Sequence, residues 1–457
     1  MKTKVKVKFL GAAGTVTGSK YMIETPEKTI LIDCGMFQGL KELRERNWEP
    51  LPIDVKSVDY VLLTHGHLDH VGFLPRLLKE GFEGTILGTE PTLAITEIVL
   101  KDSGKIHEED AKRAKEEGFS KHDNPEPFYT VKEAEETLKY FNSVDEGEWI
   151  RLSDNIKAKF NFNGHIIGAT FIELDIYGKR FVFSGDIGRF NDLLLEAPKK
   201  PEKADFVFIE TTYGNRLHPK EDLENMFEEE IIEALHNHGN IIIPSFAIER
   251  LQVLMFLLWK YQKNEEIPPI SIYVDSPMGN RVISVFESFP QWHKLPMNEF
   301  RQMMKKINIV TSYKETWETI DTKKSKIVIA GSGMVTGGRV LTYLKQLIDE
   351  PETIVILVGY QAEGTRGRQL LEGAKEIKFF GKYYPVNAKV ESIHSLSAHA
   401  DQAELLEWLS EIKNKPETVF LVHGEPTAAD AFRVKVQDKY HWKTHIPKLY
   451  EEVELFV

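Results

Sequence analysis

The run Thr64-His65-Gly66-His67-Leu68-Asp69-His70 constrains this chain more than any other stretch. Four side chains able to ligate a metal fall within six residues, directly after the apolar run Tyr60-Val61-Leu62-Leu63. Imidazole and carboxylate suit a borderline cation such as zinc. Packed together without a cation, such groups repel one another or lie unsatisfied. The plainer reading is a polar loop that happens to be rich in His. With 15 His among 457 residues, three of them in one short run is a poor fit to chance. A strand that delivers ligands at its C-terminal end, as a helix begins, is also where α/β folds place function.

Other apolar runs end in the same way. Thr29-Ile30-Leu31-Ile32 runs into Asp33, and Lys157 to Phe162 alternates with period two and leads to Gly164-His165. Arg180-Phe181-Val182-Phe183 precedes Ser184-Gly185-Asp186, Phe206 to Ile209 ends at Glu210, and Val419 to Val422 ends at His423. Strand periodicity accounts for the apolar residues. It does not account for repeated termination on His, Asp or Glu. Taken singly, each is as well read as a capping acid or a surface His; together they predict one sheet edge carrying one site.

The motif His-x-His-x-Asp-His resembles that of the metallo-β-lactamase superfamily, as do Asp33 in Asp-Cys-Gly, His165 in Gly-His-Ile-Ile-Gly-Ala and Asp186 in Ser-Gly-Asp. Glu210 in Glu-Thr-Thr-Tyr-Gly, His399 in Ser-Ala-His-Ala-Asp and His423 in Val-His-Gly-Glu resemble motifs A, B and C of its β-CASP branch of RNA- and DNA-processing nucleases. The stretches at 243–247, 275–278, 331–334 and 359–365 are similar to the same branch, in particular to prokaryotic relatives of the endonuclease subunit of the cleavage and polyadenylation specificity factor. The resemblance covers nearly the whole chain.

It implies an α/β fold: an αββα metallo-β-lactamase sandwich with an inserted β-CASP domain of mostly parallel sheet flanked by helices. It also implies a role for each motif residue. His65, His67 and His165 would hold one zinc ion, Asp69, His70 and His423 another, and Asp186 would bridge them. Manganese is the alternative metal. Two ions roughly 3.5–4 Å apart clamp a phosphodiester and ready a water for attack. Asp69 would also orient that water, and Asp33 would fix the tautomer of a ligand His. His399 would be the general acid, with Glu210 holding it charged; His394 competes for that role. The implied activity is a ribonuclease, endonucleolytic with 5′-to-3′ exonuclease action open, on single-stranded RNA. The alternatives are a glyoxalase- or lactonase-type hydrolase, a DNA-directed nuclease, or a binding subunit with a dead site. The inserted domain argues against the first, His423 against the second, and the full ligand set against the third.

The rhythm of strand and helix predicts the organisation. Residues 1–208 read as the first part of the metallo domain, 209–390 as the inserted domain and 391–457 as the return segment. In the middle stretch, apolar strands alternate with helical patterns, which predicts a parallel sheet. There a Gly-rich loop before Arg339 is expected at a helix start, where N–H groups favour phosphate. Ser332, Gly333, Arg250, Arg339 and Arg366, with Arg368, are candidate substrate contacts; surface Arg in first turns is the plainer reading. A charged, helical segment from Lys101 to about Leu138, interrupted at Asn124-Pro125-Glu126-Pro127, is either a lid or a packing appendage.

The net charge of −12 argues against a nucleic-acid coat protein, so affinity for phosphate must be local. The single cysteine, Cys34, excludes a disulfide framework and fits a reducing cytoplasm. Its place at an apolar strand end makes it a packing residue rather than a nucleophile. No membrane segment or signal peptide is expected. No appended RNA-binding module is expected either, which leaves the inserted domain, a partner or a homodimer to supply affinity.

Overall fold

The computed structural model describes residues 3–117, 125–361 and 364–457. Of the readings above, Met1, Lys2, Asn124, Ala362 and Glu363 lie outside them. The chain divides into two compact units, Met1–Leu217 with His399–Val457, and His218–Ala398.

In the first unit two seven-stranded sheets are present among the described residues. One runs, from edge to edge, Glu452–Phe456, Lys4–Phe9, Tyr21–Glu24, Thr29–Ile32, Tyr60–Leu62, Thr85–Thr89 and Phe141–Val144. The other runs Thr444–His445, Thr418–Val422, Phe206–Glu210, Lys179–Phe183, Thr170–Ile176, Ile156–Phe162 and Trp149–Arg151. Alternation explains how they stack. In Lys4–Phe9 the lysines face out, while Val5, Val7 and Phe9 are buried. They meet Phe160, Phe183, Phe208 and Phe420 of the opposite sheet in one core. On the far side of the second sheet, Val182, Val207 and Leu421 pack beneath Leu405, Trp408, Phe432 and Val436 of the helices Gln402–Trp408 and Pro426–Tyr440. Helix Glu90–Glu117 lies on strands Thr85–Thr89 and Phe141–Val144 of the first sheet. Helices outside two stacked sheets make the αββα sandwich.

The charged segment expected to begin at Lys101 is the second half of that helix, which starts at Glu90. Ile95, Val99 and Leu100 bury its first half, and the polar second half hid this continuity from the sequence pattern. A further helix, Val131–Thr137, opens with a capping box between Thr130 and Glu133. Phe128 and Tyr129 are buried against His107, and Phe128 also meets Phe73. Of the two readings left open, packing is the one these contacts describe.

The second unit holds a six-stranded sheet in the order Asn308–Ile309, Ser271–Asp275, Lys326–Ala330, Ile241–Pro244, Ile354–Val358 and Lys389–Ile393. Every pairing in it is parallel. Three of the inner strands, Lys326–Ala330, Ile241–Pro244 and Ile354–Val358, are buried along their whole length, as a sheet covered on both faces requires. Helix Arg250–Lys263 begins three residues later than the apolar pattern from Ala247 suggests. Glu249 before it has φ of 65°, so the chain turns there before the helix starts. The expected boundaries fall inside strands: 208 inside Phe206–Glu210, and 391 inside Lys389–Ile393. The units divide instead after Leu217 and before His399.

Trp408 tests the outer layer of the first unit. It is fully buried, with its ring edge-on to Phe171 at 5.3 Å. Trp408→Ala is expected to cost about 3–5 kcal/mol, read as an earlier urea midpoint for this unit. An unshifted midpoint would show that the helices repack without it.

Candidate metal centre

The strand Tyr60–Leu62 ends in Leu63-Thr64, and the chain then turns into a short helix, Leu68–Val71. This places His65, His67, Asp69 and His70 in one turn. Gly35 allows it. A Cβ there would lie 1.5 Å from the Asp69 carbonyl oxygen, so only glycine lets the Asp33-Cys34-Gly35 turn close on the His-rich loop. Asp33 itself adopts φ of 57°.

The ligand atoms of His65, His67, His165 and Asp186 lie within 4.8 Å of one another, as do those of Asp69, His70 and His423. His67 Nδ1 sits 3.1 Å from His65 Nε2 and 3.2 Å from His165 Nε2. His70 Nε2 faces His423 Nε2 at 3.2 Å. Asp186 lies between the groups, with Oδ2 at 3.5 Å from His65 Nε2 and 3.6 Å from His165 Nε2. Its Oδ1, buried without a hydrogen bond, is 3.3 Å from His70 Nε2 and 3.5 Å from His423 Nδ1. His423 Nε2 is also 3.3 Å from Asp69 Oδ2.

The electrostatics fit a cation. Burial presses His65 down to about 3 and His67 to about 4, into the neutral form that ligates metal. Burial also holds His165 well below its ordinary value. Burial works against a charged His70 too, but Asp186, Asp33 and Asp69 outweigh it and raise the ring well above the usual range. Ring nitrogens facing ring nitrogens at hydrogen-bond distance share at most one proton per pair. A bridging cation removes that conflict and answers the orphaned Asp186 oxygen. The donor set, imidazole and carboxylate, suits zinc.

The surrounding groups aim the ligands. Asp33 Oδ2 accepts from His70 Nδ1 at 2.7 Å, which leaves Nε2 to face the centre. Thr64 donates from its main chain to Asp33 Oδ1 at 2.8 Å, and its hydroxyl bonds both carboxylate oxygens. Thr64 had no role in the sequence reading, although it opens the motif. Lys20 was missed altogether. It is buried, its ammonium donates to the Gly35 carbonyl, and it lies 4.7 Å and 5.1 Å from the Phe37 and Phe73 rings. Burial lowers it to about 8, with Cys34 and Glu80 opposing. An alternating strand pattern would have put this lysine in water. Burial pushes the Cys34 thiol up to about 12, so it packs as a neutral group, as its position suggested.

His399 reaches the centre through the main chain. It pairs with Gly188 in an isolated bridge, and Ala400 N–H donates to the Ile187 carbonyl at 2.8 Å. Gly188 is needed there, since a Cβ would meet the Gly164 carbonyl oxygen at 1.9 Å. Glu210, fully buried, accepts from Ile187 N–H through Oε1 and lies 3.1 Å from His399 Nδ1 through Oε2. Burial disfavours the imidazolium, but Glu210, then Asp186 and Asp69, raise His399 to about 9. Asp401 next to it caps the helix Gln402–Trp408 in a capping box with Glu404. His394, the competing acid, belongs to the second unit, is exposed, and has its ring against Ser392 at 3.1 Å.

The second-unit residues expected to line an open phosphate track have the following surroundings within the unit. Arg250 is buried with its guanidinium against Gly359. Arg339 is buried too; it donates to Thr316, faces Asp275 at 3.5 Å and stacks on Tyr313 at 3.7 Å. Arg366 donates to the carbonyls of Lys378, Val335 and Thr336, and Arg368 bonds Glu372 at 2.6 Å. Ser332 Oγ accepts from the main chain of Thr336 and Gly337, and the Gly333 carbonyl accepts from Gln361. Of these, Arg339 and Arg366 tie separate segments of the unit together. Arg366 satisfies three carbonyls at once, a use its position in the sequence does not reveal.

Comparison with known proteins supports the same fold. The family model of the metallo-β-lactamase superfamily matches residues 13–227, the β-CASP domain matches 251–370, and the Zn-dependent metallo-hydrolase RNA specificity domain matches 383–447. A ribonuclease of Thermus thermophilus is 36% identical over 425 residues, 91% of this chain and 92% of that protein. An RNase J-like protein of Methanocaldococcus jannaschii is 33% identical, with 96% of each chain covered. Transcription termination factor FttA of the same organism is 30% identical over 97% of this chain and 70% of its own length. A crystal structure of an Enterococcus faecalis protein of unknown function shares the fold, with a TM-score of 0.56, 13% identity and coverage of 99% and 100%. With family models along three successive stretches and relatives at or above 30% identity over nearly its whole length, the chain belongs to the β-CASP branch of the metallo-β-lactamase superfamily, as a metal-dependent hydrolase.

Proposed function

We propose that this chain is a zinc-dependent ribonuclease that hydrolyses phosphodiester bonds of single-stranded RNA with a pair of metal ions. The observation that carries the reading is the pair of ligand groups meeting at Asp186, with the Glu210–His399 couple beside them. The names of the Thermus and Methanocaldococcus relatives, and the RNA specificity domain over residues 383–447, support RNA as the substrate. His423 completes the second ligand group and supports RNA over DNA by the resemblance already drawn.

His65, His67 and His165 would hold one ion, Asp69, His70 and His423 the other, with Asp186 between them. Zinc supplies Lewis-acid polarisation of the phosphodiester and lowers the pKa of water. The chain's own residues do the rest. Asp33 keeps the His70 proton on Nδ1. Asp69, at the edge of the ligand cluster, orients the attacking water. Glu210 fixes the His399 ring through Nδ1, and His399 passes its Nε2 proton to the leaving 3′ oxygen. A buried carboxylate that also anchors Ile187 N–H cannot swing away, so the acid keeps one orientation. No helix of the described residues is long and apolar enough to cross a membrane. With Cys34 as the chain's one cysteine, a cytoplasmic setting suits it.

Three measurements test this. His399→Ala should keep its metal, by elemental analysis, and lose about 10²–10⁴-fold in the rate of cleaving labelled single-stranded RNA. Equal cleavage by variant and parent would remove His399 from the acid role. Asp186→Ala should lower bound metal in both positions, and full occupancy would contradict its bridging place. Asp33→Asn leaves every ligand present, yet metal affinity should fall about 10–100-fold in competition with a chelator. An unchanged affinity would reduce Asp33 to a packing residue.

A further inference from the structure

The two-stranded ribbon of the second unit, Glu376–Phe379 with Lys382–Pro385, has two unlike faces. Ile377 and Phe379 are buried beneath it. On the other face Lys378 stands opposite Tyr383, and Phe380 occupies the turn. Phe380 is 58% exposed and Tyr383 63%. Lys345 lies over the Phe380 ring at 6.0 Å, and Lys378 over the Tyr383 ring at 5.4 Å. Lys382, the cross-strand partner of Phe379, is exposed beside the turn. Of the nearby acids, Glu372 is bonded to Arg368, and Glu376 sits at the far end of the ribbon opposite Pro385. The tip is therefore cationic in a chain of net charge −12.

The turn itself is unusual. Phe380 has φ of 46° and Gly381 φ of 82°. Asn-Gly makes such a turn without strain, whereas an aromatic residue in the left-handed region is uncommon. A strained position holding a large ring in water needs a reason beyond chain reversal. The tip is also held in place, since Arg366 ties the Lys378 carbonyl to those of Val335 and Thr336.

Exposed rings flanked by ammonium groups are what single-stranded nucleic acid stacks on, because each base offers a π-face and each phosphate a charge. A protein-binding patch would be broader and poorer in lysine. We propose that Phe380 and Tyr383, with Lys345 and Lys378, form a platform that binds single-stranded RNA by base stacking and phosphate pairing. The choice of RNA rests on the ribonuclease reading above.

The test uses the full-length, metal-loaded protein and a fluorescein-labelled, unstructured 2′-O-methyl phosphorothioate RNA that resists hydrolysis. The Phe380→Ala/Tyr383→Ala double variant should bind about tenfold or more weakly. Phe380→Trp, which keeps a stacking surface, should bind as the parent does. Hydrolysis of a small aryl phosphodiester, which reports the metal centre alone, should be unchanged in both. Unchanged RNA affinity in the double variant overturns the platform, and so does equal weakening in Phe380→Trp. Ribbon-dependent binding with no cleavage of ordinary RNA sinks the ribonuclease reading and leaves the platform standing. Normal cleavage with ribbon-independent binding does the reverse.

Discussion

Seven imidazole and carboxylate groups are held where little water reaches them, and the first unit is arranged around that fact. His65, His70, His165 and Asp186 are all within 2% of complete burial. A charge moved out of water is costly unless paired, and an unpaired polar atom costs as well. The protein carries part of the compensation itself, since Asp33 meets His70 and Glu210 meets His399. The remainder, chiefly the facing ring nitrogens and the Asp186 oxygen, is compensation that a divalent cation supplies. Two of the residues involved, Asp33 at φ of 57° and His423 at 46°, sit in the left-handed region. Asp and His tolerate that region better than most side chains. The strain is localised at turns whose side chains are fixed by the cluster.

Much of this was legible because two signals with different physical origins coincide. Period-two alternation reports which residues face a core, and Lys4–Phe9 is readable from it directly; Thr29–Ile32 and Lys326–Ala330 are readable as short continuous apolar runs. Repeated termination on Asp, His or Glu reports that several strands end at one place, although no single ending says so. What stayed hidden depends on neighbours distant in sequence. Lys20 looks like an outward residue until the Phe37 and Phe73 rings and the Gly35 carbonyl close around it. The start of helix Glu90–Glu117 is obscured because only its charged second half stands out as a segment of its own. The change of rhythm near 208 and 391 lies ahead of the points where the two units divide for a related reason. A change of rhythm marks where a new pattern begins, whereas a compact unit ends where its contacts end.

The arginines of the second unit show a limit of arguing from charge alone. A cation in the first turn of a helix opposes the helix dipole, which makes an external anion an attractive explanation. The structure resolves the opposition internally. Arg339 faces the buried Asp275, whose carboxyl is pushed up by burial while Thr316, Tyr343 and Arg339 pull it down. Arg366 bridges three carbonyls across two segments. A guanidinium that fixes loops is as consistent with the sequence as one that holds phosphate. Only partner geometry separates the two.

An acidic chain that handles RNA has to gather its attraction locally. Acids such as Glu108, Glu109 and Asp110 on helix Glu90–Glu117 repel phosphate at long range, and salt screening limits that reach to about 10 Å at ordinary ionic strength. Within that distance, a cation-filled centre and a few lysines can prevail without altering the total charge. Aromatic stacking adds attraction that carries no charge, so it is not weakened by the surrounding acids. A protein of net charge −12 therefore gains more from rings placed beside lysines, as at Phe380 and Tyr383, than from lysines alone.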